Sequence, residues 1–243
     1  MRVFYIALDT ESFRIHQINS WLSQLGFPYQ WISASKAADD RDHRYDDKRR
    51  LDSYGFPMAG AEIGCFLSHR TCWEGVAQTK EPTLILESDA VPDNLDVLID
   101  LLDYLAKGDT MELYDVVRLS GVFPHNECLP RILGTFRQFK LTQCLGDPMG
   151  SAAYVVTPYA AQQLLRHSKR FFVPLDVFLG STWKHRLRVR SLHPYPIKTL
   201  ECESVIGDRR RPKQSKLQRL KIEYHRAYDD IKRVLYIPFH YWR

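Results

Sequence analysis

The sequence predicts an α/β fold: a single domain whose mostly parallel sheet is flanked by helices, followed by a basic helical C-terminal tail. The chain opens with a strand–helix–strand pattern, and residues 83–86 form a short apolar run typical of a strand buried inside a parallel sheet. Charge is also uneven, because residues 209–243 carry eleven Lys and Arg against three acidic residues, while residues 1–208 sum to −3. We therefore expect a domain over residues 1–208 and a tail over residues 209–243.

The first three elements follow from propensity and spacing. Residues 2–8 are rich in β-branched and aromatic side chains, which favour a strand. Apolar residues then recur at helical spacing up to Gly26, and residues 29–33 again favour a strand. A helix between two strands returns the chain to a parallel strand through a right-handed crossover, which is the basis of an α/β sheet.

Residues 34–59 mix acidic and basic side chains densely and contain few apolar residues. We expect an exposed, partly helical excursion here. Two roles stay open for it: a solvated loop without a specific role, and a lid over a substrate pocket.

Helical periodicity resumes over residues 60–78 and leads directly into the central apolar strand. Further helices are predicted over residues 94–107 and from Pro158, since Pro suits the first position of a helix. Residues 121–136 contain Gly, Pro and Asn and are predicted to be a loop. The remaining strand candidates are residues 115–120, 139–145, 150–157, 186–192 and 195–199.

Composition is typical of a soluble globular protein, with 44% hydrophobic and 26% charged residues. No apolar run is long enough to span a bilayer, and the amino terminus lacks the pattern of a signal peptide, so the cytosol is the expected compartment. The five cysteines show no C-x-x-C spacing. We therefore expect reduced core thiols at Cys65 and Cys72 and no structural zinc site.

Two carboxylates, Glu87 and Asp89, follow the central apolar strand. Ligands gather at the carboxyl ends of strands in such sheets. Side chains alternate along an extended chain, so Glu87 and Asp89 are expected on one side and Ser88 on the other. Two hard carboxylates at this place suit Mg²⁺ or Mn²⁺ shared with substrate phosphates. The other interpretation is that these acids only solvate the end of the strand.

Four blocks of sequence resemble a known family. The most specific is E-I-G-C-F-L-S-H at residues 62–69, followed by Trp73. The others are L-E-S-D-A at residues 86–90, the small-residue strand at 150–156, and P-L-D-V-F-L at 174–179. Together they resemble glycosyltransferase family 25, the bacterial enzymes that extend lipooligosaccharide and the related collagen galactosyltransferases. The resemblance implies a single-domain nucleotide-sugar transferase fold of the GT-A-like type.

The resemblance further implies a hexosyltransferase that moves galactose from UDP-galactose onto a lipooligosaccharide or LPS saccharide with inversion, giving a β-linkage. Glu87 and Asp89 would hold Mn²⁺ or Mg²⁺, and Asp176, a lone acid in an apolar stretch, would take the acceptor proton. Helix capping is the alternative role of Asp176. The expected substrate-binding residues are Asp9, Thr10, Arg14, Glu62, Ser68, His69, Gly150 and Ser151.

Three of these residues keep a second interpretation. His69 either contacts phosphate or the metal, or it is a hydrogen-bonded core histidine. Glu62 either meets substrate or pairs with a base such as Arg70. The small residues around Gly150 permit close approach either of a ligand or of another backbone.

One departure from the family pattern bears on function. Where the family has L-E-D-D-A, this chain has Ser88 at the middle acidic position. If the missing acid contacts the ribose or the metal in the family, affinity falls here. A catalytically degenerate UDP-sugar-binding or glycan-binding module is therefore the alternative to a working transferase.

The tail places apolar residues at helical spacing among many Lys and Arg. This pattern fits a helix lying on an anionic membrane surface, peripheral on the cytoplasmic face of the inner membrane, where a lipid-linked oligosaccharide acceptor would lie. Packing of the stripe on the domain is the alternative. Nucleic acid is not an expected partner, because the tail lacks a recognition motif and the first 208 residues are acidic. The stripe consists of Leu217, Leu220, Tyr224, Tyr228, Ile231 and Leu235.

Overall fold

The computed structural model describes residues 1–9, 12–35, 42–122, 130–144, 149–200 and 215–241. The strands are β1 (Arg2–Ala7), β2 (Tyr29–Ser33), β3 (Thr83–Glu87), β4 (Ala90–Pro92), β5 (Val116–Arg118), β6 (Arg131–Phe136), β7 (Phe139–Gln143), β8 (Ala153–Val156), β9 (Val189–His193) and β10 (Ile197–Thr199). The helices are α1 (Ser12–Leu22), α2 (Asp47–Tyr54), α3 (Gly60–Val76), α4 (Leu95–Leu105), α5 (Gly108–Met111), α6 (Pro158–His167), α7 (Leu175–Gly180), α8 (Thr182–His185) and α9 (Lys216–Tyr241).

Eight of these strands form one mixed sheet in the order β2-β1-β3-β8-β5-β9-β7-β6. β1 is parallel to β2 and β3, β5 is parallel to β9, and β8 runs antiparallel between β3 and β5. β7 is the other reversed strand, so six of the eight strands point in one direction. β4 and β10 form a separate antiparallel pair. The predicted α/β fold with a mostly parallel sheet is therefore confirmed.

The sheet separates two apolar cores, and β3 contributes to both. Leu84 and Leu86 face the core that includes α1 and α4, whereas Ile85 faces the core that includes α3 and α6. All three side chains are fully buried. A strand covered on both faces needs apolar residues at every position, which explains the continuous apolar run in the sequence.

Residues 131–136, predicted as part of a loop, form β6 instead. β6 and β7 make an antiparallel hairpin whose turn contains Arg137 at φ 50°. The pairing shifts register near Gly134, and most side chains of β6 are partly or fully exposed, so the strand lacks an apolar signature. Pairing with β7, and not local propensity, defines this strand. Residues 123–129 of the predicted loop lie outside the described residues.

The excursion predicted over residues 34–59 is docked on the domain in its described part. Tyr45 and Met58 are buried in the core. Arg50 of α2 is also buried, and its guanidinium lies over two aromatic rings. The predicted partial helix is confirmed by α2, whereas the expected exposure is wrong for Tyr45, Arg50 and Met58, because aromatic and apolar contacts outweigh the charged composition.

The C-terminal helix α9 packs on the domain with one face. Ile222 is buried, the His225 ring lies 6.1 Å from the Tyr54 ring, and Lys184 Nζ lies 3.9 Å from Asp229 Oδ1. These contacts join α9 to α2 and α8.

A second face of α9 carries most of the predicted stripe and is exposed, so the stripe itself does not pack on the domain. Among the residues that the structure describes, no helix is both long enough and apolar enough to cross a bilayer. The side chain of Leu217 lies outside the described part. The exposed apolar residues of this face are Leu220, Tyr224, Tyr228, Ile231 and Leu235.

Candidate active site

The ends of β1 and β3 and the segment before β8 meet at one edge of the sheet. Ile6 in β1 is the register partner of Glu87, the last residue of β3. The Glu87 N–H donates to the carbonyl of Ala152 at 2.8 Å, which brings Ser151 beside the strand end. Sheets of this kind place their ligands at this edge.

Two side chains orient the carboxylate of Glu87. Ser151 Oγ donates to Glu87 Oε1 at 2.9 Å, and His69 Nε2 lies 3.4 Å from the same oxygen. Burial raises the pKa of Glu87, but the contacts with His69 and Ser151 outweigh it, so the pKa lies below its ordinary value. Glu87 is therefore an ionised and oriented carboxylate.

A buried hydrogen-bond chain fixes His69 in turn. Trp73 Nε1 donates to the Tyr154 hydroxyl at 2.9 Å, and that hydroxyl lies 2.9 Å from His69 Nδ1. Burial raises the pKa of Tyr154 well above its ordinary value, so Tyr154 keeps its proton and can donate it to Nδ1. His69 is thus a hydrogen-bonded core histidine that also contacts the acidic edge.

α3 brings Cys65 to the same place. Glu62, Cys65 and His69 lie at positions i, i+3 and i+7, so they share one face of the helix. One potential ligand atom from each of Cys65, His69 and Glu87 lies within 4.8 Å of the other two. Cys65 therefore borders the site rather than only filling the core.

The electrostatic surroundings of the Cys65 thiol identify which acids share this site. Burial raises the pKa of the thiol well above its ordinary value, and four negative charges raise it further. In decreasing order of effect, these charges belong to Glu87, Asp176, Asp89 and Glu62. The charges of four acids from separate parts of the chain thus act on one thiol.

The chain turns immediately after Glu87, because Ser88 and Asp89 form a turn between β3 and β4. The alternation argument is therefore wrong beyond Glu87, since it applies only to extended chain. Asp89 is held at this edge through its carbonyl, which accepts the N–H of Leu200 at 2.9 Å. Ser88 is 8% exposed, so its side chain is nearly removed from solvent.

Asp176 lies in the first turn of α7 and is half-buried. Its Oδ1 accepts the N–H of Val177 at 2.8 Å. Pro174 occupies the N-cap position of α7, so Asp176 does not cap the helix, although it accepts an N–H within the first turn. This contact coexists with the position of Asp176 in the acidic group around Cys65.

Glu62 has a structural contact at the start of α3. Its Oε2 accepts the N–H of Ala59 at 3.0 Å, which satisfies one of the unpaired amides at the helix start. Arg70, the base considered as a partner for Glu62, lies 3.6 Å from Glu74 Oε1 instead.

Ser68 also connects parts of the scaffold. It is buried, its hydroxyl donates to the Gly64 carbonyl at 2.7 Å, and it accepts the N–H of Ser35 at 2.8 Å. Both functions of the hydroxyl are therefore used to join α3 to the segment after β2.

The small residues before β8 were expected to permit close approach either of a ligand or of another backbone, and Gly150 distinguishes these alternatives. It adopts φ +91°, and a Cβ there would lie 3.3 Å from Gly121 Cα and 3.3 Å from the Val122 nitrogen. The close approach is thus to another backbone segment.

The residues expected after β1 are placed only in part. Asp9 is exposed just beyond β1, and Arg14 is half-buried on α1. Thr10 lies outside the described residues.

A sequence model of glycosyltransferase family 25, with the description LPS biosynthesis protein, matches residues 1–179. The match covers about three quarters of the chain and includes all four acids around Cys65. The chain belongs to glycosyltransferase family 25. It is therefore a glycosyltransferase, and the resemblance seen in the motifs is confirmed.

Two solved structures are distantly similar to this family 25 chain. UDP-glucose pyrophosphorylase complexed with UDP-glucose is 13% identical, with 93% of this chain and 97% of that chain covered at a TM-score of 0.43. A mutant of Drosophila β-1,4-galactosyltransferase 7 in complex with manganese, UDP-Gal and xylobiose is 9% identical, with 90% and 78% covered at a TM-score of 0.41. A search of curated proteins finds no match.

The donor chemistry of the family 25 site fits a divalent cation. Glu87 and Asp89 offer hard carboxylate oxygens, which Mn²⁺ and Mg²⁺ prefer. Cys65 and His69 beside Glu87 are a softer set of the kind that binds Zn²⁺. Burial raises the pKa of the Cys65 thiol, so the thiolate form that binds Zn²⁺ is disfavoured. Glu87 and Asp89 are thus the residues suited to hold Mn²⁺ or Mg²⁺.

Sequence reasoning did not assign Cys65, Trp73 or Tyr154 to this site. Cys65, His69 and Trp73 are spaced i, i+4 and i+8 on α3, and this spacing could have indicated that Cys65 and Trp73 accompany His69. Tyr154 had no comparable local signal, because it lies on β8 and meets His69 only in the folded structure.

Proposed function

We propose that this glycosyltransferase moves galactose from UDP-galactose onto a lipooligosaccharide or LPS saccharide with inversion, assisted by Mn²⁺ or Mg²⁺. The observation that carries the proposal is the group of four acids around Cys65 at the carboxyl edge of the sheet. The family's description as LPS biosynthesis proteins supports the class of acceptor.

Glu87 and Asp89 are proposed to hold the metal. A bound divalent cation supplies charge neutralisation for the diphosphate leaving group. Ser151 and His69 support this role because they fix the Glu87 carboxylate in one orientation. Asp9, Thr10 and Arg14, which follow β1, are proposed to contact the uridine and phosphates of the donor.

Asp176 is proposed as the base on the acceptor side. Inversion at the anomeric carbon requires a group that takes the proton of the acceptor hydroxyl opposite the leaving group. The N–H of Val177 holds one oxygen of Asp176, which orients the carboxylate. Its charge acts on the same thiol as the charges of Glu87 and Asp89, which supports a common site for the proposed base and metal ligands.

UDP release from a panel of UDP-sugars tests the proposal. The wild-type chain is incubated with each donor in the presence of Mn²⁺, Mg²⁺ or EDTA, with and without a lipooligosaccharide acceptor. We expect release from UDP-galactose, increased by acceptor and abolished by EDTA. Release from another UDP-sugar alone would contradict the galactose assignment, and full release in EDTA would contradict the metal.

The second candidate, a degenerate module that binds UDP-sugar or glycan without transfer, rests on Ser88. This side chain is nearly buried in the turn between the two proposed metal ligands. Ser88→Asp distinguishes the two functions. Donor binding without transfer in the wild type, with transfer gained in Ser88→Asp, would favour the degenerate module.

The α9 helix is proposed to hold the enzyme on the cytoplasmic face of the inner membrane, near a lipid-linked oligosaccharide acceptor. Its exposed stripe is flanked by exposed basic residues, and such a helix lies along an anionic surface. The other face of α9 packs on the domain, so the stripe is presented on a fixed support. The flanking residues are Lys216, Arg219, Lys221 and Lys232.

A further inference from the structure

A cavity of about 540 Å³ lies at the edge of the sheet opposite the acidic site. It is bordered by the starts of β6 and β9, the end of β7, α8 and α9. Val189, at the start of β9, is joined across the sheet through the register partners Val116 and Val156 to Thr83, the first residue of β3. Glu87 is the last residue of β3 and therefore lies at the opposite edge. The cavity and the proposed transferase site are therefore separate.

Positive charge dominates the wall of this cavity. The one carboxylate among the described lining residues belongs to Glu112. Asp115 compensates one of the cations, because its oxygens lie 2.9 Å and 3.2 Å from two guanidinium nitrogens of Arg188. Arg186 and Arg190 together outnumber the single carboxylate of Glu112, so the wall carries an excess of positive charge. The lining arginines are Arg131, Arg186, Arg188 and Arg190.

The arginines are held close together. Arg190 Nε donates to the carbonyl of Leu113 at 3.2 Å, which fixes its guanidinium at the wall. Burial, together with the charges of Arg188 and Arg131, lowers the pKa of Arg190 to about 10. Cations crowded in this way repel one another, and a bound anion relieves the repulsion.

Arg186 is the cation best placed to meet a ligand. It ends α8 in the left-handed region, at φ 60°, and its side chain is exposed. In the part of the chain that the structure describes, no carboxylate forms an ion pair with it. An arginine with these properties at the mouth of a basic cavity can bind an incoming anion without breaking an existing pair.

We propose that this cavity binds the phosphate group of a phosphate monoester. Guanidinium forks match the oxygens of phosphate in pairs, and several of them converge here. Leu187, Val189 and Tyr236 also line the cavity and offer a surface for the uncharged part of the ligand. The same chemistry occurs in soluble sugar phosphates and in the headgroup of phosphatidic acid. The proposal concerns binding alone, so it does not depend on the transfer reaction.

Titration calorimetry with glucose 6-phosphate tests the soluble source. Flotation with phosphatidylcholine vesicles that contain phosphatidic acid tests the headgroup, against vesicles of equal charge made with the diester phosphatidylglycerol. Each probe is applied to the full chain, to Arg186→Gln, and to Lys140→Gln as a matched control, because Lys140 is an exposed cation on β7 that pairs with the last residue of β9, away from the cavity. Thermal unfolding midpoints verify that the variants fold.

We expect Arg186→Gln to weaken binding of one probe about tenfold or more, as for loss of one charged hydrogen-bond pair, and Lys140→Gln to leave it unchanged. Arg190→Lys, which keeps the charge but loses the fork, should also weaken it. A response to glucose 6-phosphate identifies a soluble ligand, and a response to phosphatidic acid alone identifies the headgroup. Absence of binding to both probes, or equal weakening by Arg186→Gln and Lys140→Gln, would overturn the proposal.

Discussion

Tyr154 connects the buried part of α3 to the acidic edge of the sheet. Its hydroxyl accepts from Trp73 Nε1 and meets His69 Nδ1, and His69 in turn faces Glu87. The side chain is fully buried, so no solvent can replace its hydrogen bonds if the hydroxyl is lost.

Tyr154→Phe is therefore expected to destabilise the fold by about 1–3 kcal/mol, because it leaves buried polar atoms of Trp73 and His69 without partners. Urea unfolding of both chains measures the difference in the free energy of unfolding. Tyr159→Phe is the matched control, since Tyr159 is exposed and loses nothing comparable. Equal stability of Tyr154→Phe and the wild type would refute the hydrogen-bond chain.

For individual residues, the sequence motifs identified members of the site but not the contacts that join them. The E-I-G-C-F-L-S-H block pointed to His69, and the acidic triplet pointed to Glu87. The reason these residues act together is a set of contacts across distant segments, such as Ser151 with Glu87. Local patterns do not encode such contacts, and the alternation rule was wrong at Asp89 because the chain turns there.

Among the elements, those with a strong periodic signal were predicted well. β2 has the predicted bounds, and α3 differs from its prediction by only two residues at its end. β6 was missed because a half-exposed strand is stabilised by pairing with β7 rather than by its own sequence. The four-residue helix α8 was missed because so short an element carries no periodicity.

The exposed stripe of α9 leads to a prediction for membrane binding. Replacing Leu220 and Ile231 together by Ser removes apolar area from the stripe without touching the docked face. We expect the affinity of this double variant for vesicles rich in anionic phospholipid to fall about tenfold or more, because the lost apolar area no longer enters the interface. Co-sedimentation with vesicles measures the change.

Phe13→Ser is the matched control for this experiment, because Phe13 is an exposed apolar residue on α1, away from α9. It should bind as the wild type does. Unchanged partitioning of the Leu220 and Ile231 double variant would exclude the stripe as a membrane contact.

The stability of the whole molecule is expected to depend on His185. This residue is 2% exposed, its Nε2 lies 3.2 Å from the Leu179 carbonyl, and its Nδ1 accepts the N–H of Leu187. Burial lowers its pKa to about 4, and the neighbouring charges of His167 and Arg118 also lower it.

The sign of the effect follows from the direction of this shift. The unfolded chain protonates His185 near its ordinary pKa of about 6.5, whereas the folded chain does not until about pH 4. Stability is therefore lost as the pH falls through this window, by on the order of 2 kcal/mol at pH 5. Urea unfolding at pH 7.5 and pH 5 measures the loss. His185→Gln should reduce this loss of stability, whereas His16→Gln should not, because His16 is exposed. Equal losses in the wild type and both variants would contradict the assignment of the effect to His185.

The central claim is that acids from three segments serve one transferase site, and UDP release by single variants tests it most directly. With the preferred donor and saturating metal, Asp89→Ala and Asp176→Asn should each lower the rate about 100-fold or more, because one removes a proposed metal ligand and the other the proposed base. Asp103→Asn should keep its rate within about twofold of the wild type, since Asp103 is an exposed acid on α4 and is neither a proposed metal ligand nor the proposed base. Full rates in both Asp89→Ala and Asp176→Asn would contradict the claim.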